Sequence, residues 1–316
     1  MAEIAQRKVK TNGITVRIAE AGSGPVVLLV HGWPESWYSW RHQLRALADA
    51  GYHAIAPDVR GYGGSDKPHA VEAYSMKEIT ADLIGILDDV GAQTAVIVGH
   101  DWGSAIAWNS AQLYPERYRA VVGMSVPFLP RAPMPPTQLL KAAFGDNFFY
   151  ILYFQEEGKA EAEFEADVAR TMRTLLGVQA GTQGESFTPT TKPKTANFFE
   201  GMPPAPEKLP DWLSEEDLAY FVGEFEKSGF RGGINRYRNM DRDWQELPQL
   251  ADAKITQPAM FITGDKDPVR TFAPAEAMKA SVPHVKVVEL PGGHWIQQER
   301  AKEVNDALIS FLKELP

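Results

Sequence analysis

The sequence contains no cysteine among its 316 residues, which excludes disulfides, thiolate metal sites and a cysteine nucleophile. Residues 1–8 lack the apolar core of a signal peptide, and no apolar run approaches the ~18 residues typical of a membrane-spanning helix. Acidic residues outnumber basic ones, 41 to 32, so nucleic-acid and membrane partners are not expected. These absences predict a cytoplasmic protein.

The first 127 residues alternate short apolar runs with segments of helical periodicity. Helices are predicted at residues 37–50 and 75–90. Strands are predicted at residues 14–19, 25–30, 53–56, 94–98 and 119–125. This alternation predicts crossover units and a mostly parallel sheet of an α/β protein.

A proline-rich segment, residues 127–136, breaks the alternation. The aromatic, helix-rich stretch that follows reaches about residue 244 and is interrupted by a segment rich in Gly, Thr, Pro and Lys at residues 177–194. Strands return at residues 258–263 and 285–290, and a helix over residues 304–315 ends the pattern.

We therefore predict an α/β core formed by residues 1–127 and 246–316. A helical cap, residues 128–245, is inserted after the fifth strand-like segment. An insertion at this point would cover the carboxyl ends of the strands, where open α/β sheets bind ligands.

The most informative motif is Gly-His-Asp-Trp-Gly at residues 99–103, between a predicted strand and a helical pattern. It has the frame of the G-x-S-x-G nucleophile elbow of the α/β-hydrolase fold. Asp101 stands where that motif has serine. A carboxylate is ionised at neutral pH and needs no base to activate it, so it suits displacement at a saturated carbon, with an alkyl ester as product.

Two later motifs supply the remaining members of a catalytic triad in the order expected after such an elbow. His294 follows two glycines near the end of the chain and is the candidate base. Asp267 is the candidate acid that orients it, with Asp265 as the competing choice. The oxyanion hole is expected from the backbone N–H groups of Trp33 and Trp102.

These motifs together resemble the epoxide hydrolases of the α/β-hydrolase fold. Matching core segments are residues 31–40, 58–65 and 99–103. Residues 153–161 and 236–240 look like the two tyrosine motifs of the family's cap. The resemblance implies that Tyr153 and Tyr237 hold the epoxide oxygen while Asp101 opens the ring.

The resemblance also implies a small apolar epoxide as substrate and requires neither a metal nor an organic cofactor. The expected substrate wall contains aromatic side chains of the core and cap: Trp37, Trp102, Phe128, Tyr153 and Tyr237. The sequence departs from commoner family members in having tryptophan at position 33 and arginine at position 236. Arg236 bears on the pocket beside Tyr237 and hence on substrate preference.

Two other functions remain open at the level of the sequence. A haloalkane dehalogenase would share Asp101 and use Trp102 and Trp33 as halide donors, although a departing halide needs no pair of phenols. A non-catalytic ligand receptor could also use this fold, since a fold alone does not fix function. A homodimer is an alternative to a monomer that the sequence does not decide.

Overall fold

The computed structural model describes residues 2–178, 192–271 and 275–316, and an eight-stranded sheet lies at its centre. The strands are β1 (Ala5–Thr11), β2 (Ile14–Ala21), β3 (Val26–Val30), β4 (His53–Pro57), β5 (Ala95–His100), β6 (Tyr118–Met124), β7 (Ala259–Gly264) and β8 (Lys286–Leu290). Their order in the sheet is β1-β2-β4-β3-β5-β6-β7-β8. The β1–β2 and β2–β4 pairs are antiparallel and all later pairs are parallel.

The helices pack on both faces of this sheet and form the cap. Those of the core are α1 (Arg41–Asp49), α2 (Met76–Asp89), α3 (Trp102–Leu113), α11 (Ala275–Ser281), α12 (Ile296–Glu299) and α13 (Ala301–Glu314). Those between β6 and β7 are α4 (Pro136–Phe144), α5 (Tyr150–Tyr153), α6 (Lys159–Glu165), α7 (Val168–Val178), α8 (Glu215–Ser228), α9 (Arg231–Arg238) and α10 (Met240–Glu246). Short 3-10 helices occur at Trp37–Trp40, Val71–Tyr74, Pro248–Ala251 and Pro268–Thr271.

The α/β-hydrolase fold and its mostly parallel sheet are confirmed. All seven predicted strands are present, with ends within two residues of the prediction. The prediction missed β1, whose first four residues are exposed and whose charged side chains break the apolar pattern. An Asn12-Gly13 turn, with positive φ at both residues, joins β1 to β2 and was the available signal for this hairpin.

Because β1 was missed, the segment predicted as the fifth strand is β6 of the structure, and the cap helices α4 to α10 follow it. Most of the predicted interruption at residues 177–194 lies outside the described residues.

The core has two apolar clusters, one on each face of the sheet. Alternate residues of a strand point to opposite faces, so Leu28 joins the cluster that extends into the cap while Val27 joins the cluster beneath α1 and α13. Charged pairs also hold the cap on the core. Arg17 of β2 bonds Asp58 at 2.5 Å and also pairs with Glu224 of α8.

The turn after β5 depends on glycine. A Cβ on Gly103 would lie 1.9 Å from the carbonyl oxygen of Val30, which belongs to the neighbouring strand and cannot move away cheaply. We predict that Gly103→Ala lowers the free energy of unfolding by roughly 3 kcal/mol, the upper end of overpacking costs. Urea unfolding measures the change.

Gly223→Ala is the matched control, because Gly223 lies inside α8 and has nothing within 4 Å of the position that a methyl group would take. It should raise the free energy of unfolding by about 0.5–1 kcal/mol through helix propensity. Equal effects of the two substitutions would contradict this explanation of the turn.

Candidate active site

The predicted catalytic residues all follow the carboxyl ends of neighbouring strands. Asp101 comes directly after β5, and Asp267 and His294 lie within four residues of the ends of β7 and β8. Trp33 follows β3 in the same way. Parallel strands end at one edge of the sheet, so residues far apart in sequence meet there.

Asp101 occupies a strained turn between β5 and α3. Its backbone has φ 53° and ψ −121°, a conformation that costs a non-glycine residue about 1–3 kcal/mol. The turn closes tightly because a Cβ on Gly99 would lie 1.9 Å from the carbonyl oxygen of Gly103. The strained backbone of Asp101 thus places its carboxylate at the edge of the sheet.

The structure brings Asp101, His294 and Asp267 together. Nε2 of His294 lies 3.5 Å from Oδ2 of Asp101, and Nδ1 of His294 lies 3.1 Å from Oδ1 of Asp267. His294 and Asp267 are both 3% exposed. Asp265 is exposed and accepts a hydrogen bond from the backbone N–H of Gly292, so the geometry selects Asp267 as the partner of the histidine.

Burial and charge oppose each other at this triad. Burial alone would lower the pKa of His294. The negative charges of Asp267 and Asp101, and a hydrogen bond to each of them, outweigh burial and raise this pKa well above its usual value. Burial would raise the pKa of Asp267, yet the His294 imidazolium and its hydrogen bond lower it. The free site therefore favours a protonated imidazole between carboxylates.

One expected oxyanion donor is already in contact with the nucleophile. The backbone N–H of Trp33 donates to Oδ1 of Asp101 at 2.9 Å. An oxygen held there keeps its donor when the carboxylate becomes an ester and then a tetrahedral intermediate. Trp102 begins α3, and the use of its N–H as the second donor stays a prediction.

A second buried histidine lies behind the triad. Nδ1 of His100 is 2.7 Å from Oε1 of Glu35, and Nε2 of His100 is 2.7 Å from the carbonyl oxygen of His294. Glu35 also accepts the N–H of Gly32 and the side-chain amide of Gln297. Burial would raise the pKa of Glu35, but the pairing with His100 lowers it to about 2.

Neither His100 nor Glu35 was a candidate functional residue in the sequence. The contacts agree with a supporting role for both residues, because His100 donates to the backbone of the catalytic histidine. Ser125, which directly follows β6, donates from its hydroxyl to the same carbonyl oxygen at 2.8 Å.

The prediction for Tyr153 is wrong in this structure. Its hydroxyl donates to Oε2 of Glu163 at 2.6 Å. Glu163 in turn accepts the backbone N–H groups of Phe198 and Phe199, so Tyr153 belongs to a polar network that ties parts of the cap together. The hydroxyl of Tyr153 is therefore engaged with Glu163.

Tyr150, one turn earlier on α5, takes the place expected for Tyr153. Its ring contacts that of Tyr237, with centroids 5.8 Å apart. Burial raises the pKa of Tyr150, and the charges of Asp101 and Asp267 raise it further. Burial likewise raises the pKa of Tyr237 well above its usual value, with Tyr150 and Asp101 adding to it. Two protonated phenols of the cap thus lie within the field of the nucleophile.

Two tryptophans line this space beside Tyr237. The ring of Trp102 lies 5.1 Å from that of Tyr237, and the ring of Trp33 lies 6.0 Å from it, both edge to face. Phe128 is buried and contacts the ring of Trp108, so its place in the substrate wall stays a prediction.

Trp37 does not belong to this wall. It lies in the apolar cluster on the opposite face of the sheet from Trp33 and contacts the ring of Tyr220. The 3-10 helix that begins at Trp37 carries its side chain toward α8. The prediction of Trp37 as a substrate contact is therefore wrong in this structure.

Arg236 does not enter the space between the tyrosines. It donates to the carbonyl oxygen of Tyr74 at 2.5 Å and pairs with Asp243, while its guanidinium lies 5.0 Å from the ring centre of Trp102. Where a tryptophan is commoner, this chain therefore supports Trp102 with a cation. Within residues 2–178, 192–271 and 275–316, no cluster of three or more His, Asp or Glu side chains could hold a metal ion.

The chain is similar to known proteins over its whole length. Residues 25–301 match the family model of the alpha/beta hydrolase fold. The chain is also similar to epoxide hydrolase A of Mycobacterium tuberculosis, with 50% identity over 100% of this chain and 99% of the relative. The chain belongs to the epoxide hydrolase family.

Other members of the family also match this chain over nearly its whole length. Epoxide hydrolase 3 of Siraitia grosvenorii is 41% identical over 99% of this chain and 100% of its own. The crystal structure of epoxide hydrolase A from Mycobacterium thermoresistibile is 50% identical, covers 99% of each chain and has a TM-score of 0.94. Family membership thus rests on the entire core and cap. In the described part of this epoxide hydrolase, no helix is both long and apolar enough to cross a membrane.

The tyrosines of the cap can be separated by experiment. We predict that Tyr150→Phe and Tyr237→Phe each slow alkylation of Asp101 by a factor on the order of 10 to 10³, the range for a lost oxyanion-type donor. Tyr153→Phe should leave that rate near the wild-type value and lower the free energy of unfolding by about 1–2 kcal/mol, since it removes a hydrogen bond to a carboxylate.

Rapid-quench alkylation rates and urea unfolding of the three variants provide the measurement. A Tyr153→Phe enzyme that alkylates as slowly as Tyr237→Phe would return the catalytic role to Tyr153.

Proposed function

We propose that this member of the family converts an apolar epoxide and water into a vicinal diol through an ester on Asp101. The observation that carries the proposal is a carboxylate at the nucleophile turn with His294 3.5 Å away and two cap phenols within its field. Each group matches one demand of the reaction. The carboxylate attacks carbon, the phenols stabilise the leaving oxygen, and the imidazole activates water.

In the first step, an oxygen of Asp101 bonds to an epoxide carbon and the carbon–oxygen bond of the ring breaks. The electron pair of that bond stays on oxygen, which accepts a proton from the phenol of Tyr150 or Tyr237. The raised pKa values of both phenols keep them protonated and able to donate beforehand. The imidazolium of His294 then restores the phenol's proton, so the total charge is unchanged.

Ester formation prepares His294 for the second step. Asp101 loses its charge on becoming an ester, and with it one of the two anions that raise the pKa of His294. The neutral imidazole takes a proton from water, whose oxygen attacks the ester carbonyl while the N–H of Trp33 stabilises the oxyanion. The imidazolium then protonates the departing diol oxygen. The carboxylic acid left on Asp101 gives its proton to the neutral imidazole, which restores the carboxylate and the imidazolium of the free site.

The surroundings favour an apolar substrate. Trp33, Trp102, Tyr150, Phe154 and Tyr237 form a connected set of aromatic contacts next to the nucleophile. The paired phenols favour an epoxide over a haloalkane, because a departing halide needs no proton. A cytoplasmic location remains a prediction, and a homodimer remains one of two alternatives for the oligomeric state.

Replacement of His294 tests the two-step chemistry. We predict that His294→Ala consumes one equivalent of epoxide and then stops, because ring opening needs Asp101 and the phenols while ester hydrolysis needs the imidazole. Intact-mass and peptide analysis should place the adduct on Asp101. A variant that folds but forms no adduct would contradict the division of roles.

The pH dependence of the second step follows from the same charges. The imidazole of His294 can accept a proton from water only in its neutral form. The rate of ester hydrolysis should therefore be low below the pKa of His294 in the ester and rise to a plateau above it. We predict that this midpoint lies below the pKa of His294 in the free enzyme, since the ester has lost the charge of Asp101. Single-turnover rates and NMR titration of the imidazole provide the comparison; a midpoint at or above the free-enzyme value would contradict the account.

A further inference from the structure

The loop that carries His294 lies beside an open cleft. Residues 291–295 connect β8 to α12 without helix or strand structure. A cleft of about 550 Å³ between the cap and this part of the core is lined by Gly292, Gly293 and Glu299, but not by Asp101. On that side the loop has space beside it, so its position depends on specific hydrogen bonds.

Glu299, the last residue of α12, provides two of these bonds. Its Oε2 accepts the backbone N–H of Gly293 at 2.6 Å, and its Oε1 accepts the backbone N–H of Trp295 at 2.9 Å. These are the residues on either side of His294. The sequence offered no motif for this role, because it arises from the turn between the loop and α12.

The opposite side of the same peptide is held by the core. The carbonyl oxygen of His294 accepts the Nε2–H of His100 and the hydroxyl of Ser125, at 2.7 and 2.8 Å. These two bonds and the two accepted by Glu299 act on Gly293, His294 and Trp295. Glu299 lines the cleft, so its two bonds hold the loop on that side.

We propose that Glu299 is a positioning residue for the hydrolytic step, in which it fixes the backbone on both sides of His294 without contacting the substrate. The inference rests on the proposed function, because it assumes that His294 activates water for attack on the Asp101 ester. Its consequence is that ester hydrolysis depends on Glu299 and ring opening does not.

The tolerance of His294 to movement is small. Its Nε2 is already 3.5 Å from Asp101, and its Nδ1 is 3.1 Å from Asp267. A carboxylate can accept two N–H donors through two oxygens, whereas an amide of the same shape presents an NH₂ group to one of them. Glu299→Gln therefore keeps the volume and removes one of the two bonds.

The test separates the two steps in single turnovers of the full chain with styrene oxide, an apolar aryl epoxide, followed by rapid quenching. We expect Glu299→Gln to form the Asp101 ester at close to the wild-type rate and to hydrolyse it more slowly by a factor on the order of 10 to 100, the cost of misplacing a catalytic group by about 1 Å. The ester should accumulate in the variant. Slowing of both steps by the same factor, or hydrolysis at the wild-type rate, overturns the proposal.

Asp265→Asn is the matched control. Asp265 lines the same cleft and also accepts a loop N–H, that of Gly292, but it does not bracket His294. Both of its rate constants should stay close to wild type. Because asparagine keeps an acceptor oxygen at this position, the control removes only a negative charge beside the loop. A hydrolytic defect equal to that of Glu299→Gln would show that this loss of charge suffices and would overturn the specific role of Glu299.

Loss of folded protein does not obscure the result. The amount of ester formed counts molecules with an intact site, so misfolding lowers the amplitude and leaves the rate constants interpretable. If Glu299→Gln forms no ester, Glu299→Asp, which keeps two oxygens on a shorter chain, takes its place with the same expected pattern. A wild-type enzyme that forms no ester contradicts the proposed function itself, whereas a normal wild type with a normal Glu299 variant contradicts only this inference.

Discussion

The strained turn at Asp101 is the constraint on which the rest of the site depends. A non-glycine residue with φ 53° persists only where neighbouring structure enforces it, and here the enforcement comes from backbone packed against backbone. Gly99 and Gly103 permit contacts that any Cβ would prevent. The turn places the carboxylate where the N–H of Trp33 can donate to it at 2.9 Å. The nucleophile and its oxyanion donor thus follow two paired strands, β5 and β3, and meet at one edge of the sheet.

The number of negative charges next to the imidazole of His294 sets its pKa, and this number changes during the proposed reaction. Two carboxylates face His294 in the free site, and in the proposed mechanism one of them becomes a neutral ester. The same group is then a cation when a proton is needed and a base when water must be activated. Glu35 and His100 add a second buried pair that fixes the backbone carbonyl of His294. The backbone of His294 and the protonation of its ring are therefore controlled by different neighbours.

Much of this arrangement could be predicted from the sequence, because it is written in local patterns. The fully buried central strands read as short apolar runs, and the elbow, Asp267 and His294 each follow a predicted strand. Topology alone then brings these residues to one edge of the sheet. The first strand, β1, was not predicted because its exposed, charged residues do not form an apolar run.

The remaining features depend on contacts between distant residues. Tyr150 and Tyr153 lie on one helical turn, and their contacts distinguish them: Tyr153 donates to Glu163, whereas Tyr150 contacts the ring of Tyr237. Trp37 sits near the Trp33 loop in sequence but on the other face of the sheet in space. Glu299 accepts hydrogen bonds from backbone N–H groups, which every residue except proline has, so no residue type in the sequence marks its partners. Such choices are made by tertiary packing and are invisible to periodicity or spacing.

The central claim is that an oxygen of Asp101 becomes part of the product. A single turnover in heavy-oxygen water, with enzyme in excess over epoxide, tests it most directly. The account predicts that the first diol released carries no label and that one heavy oxygen appears in the Asp101 carboxylate, found by mass analysis of the peptide. Label in the diol together with an unlabelled Asp101 would mean that water attacks the epoxide directly, and would contradict the covalent mechanism.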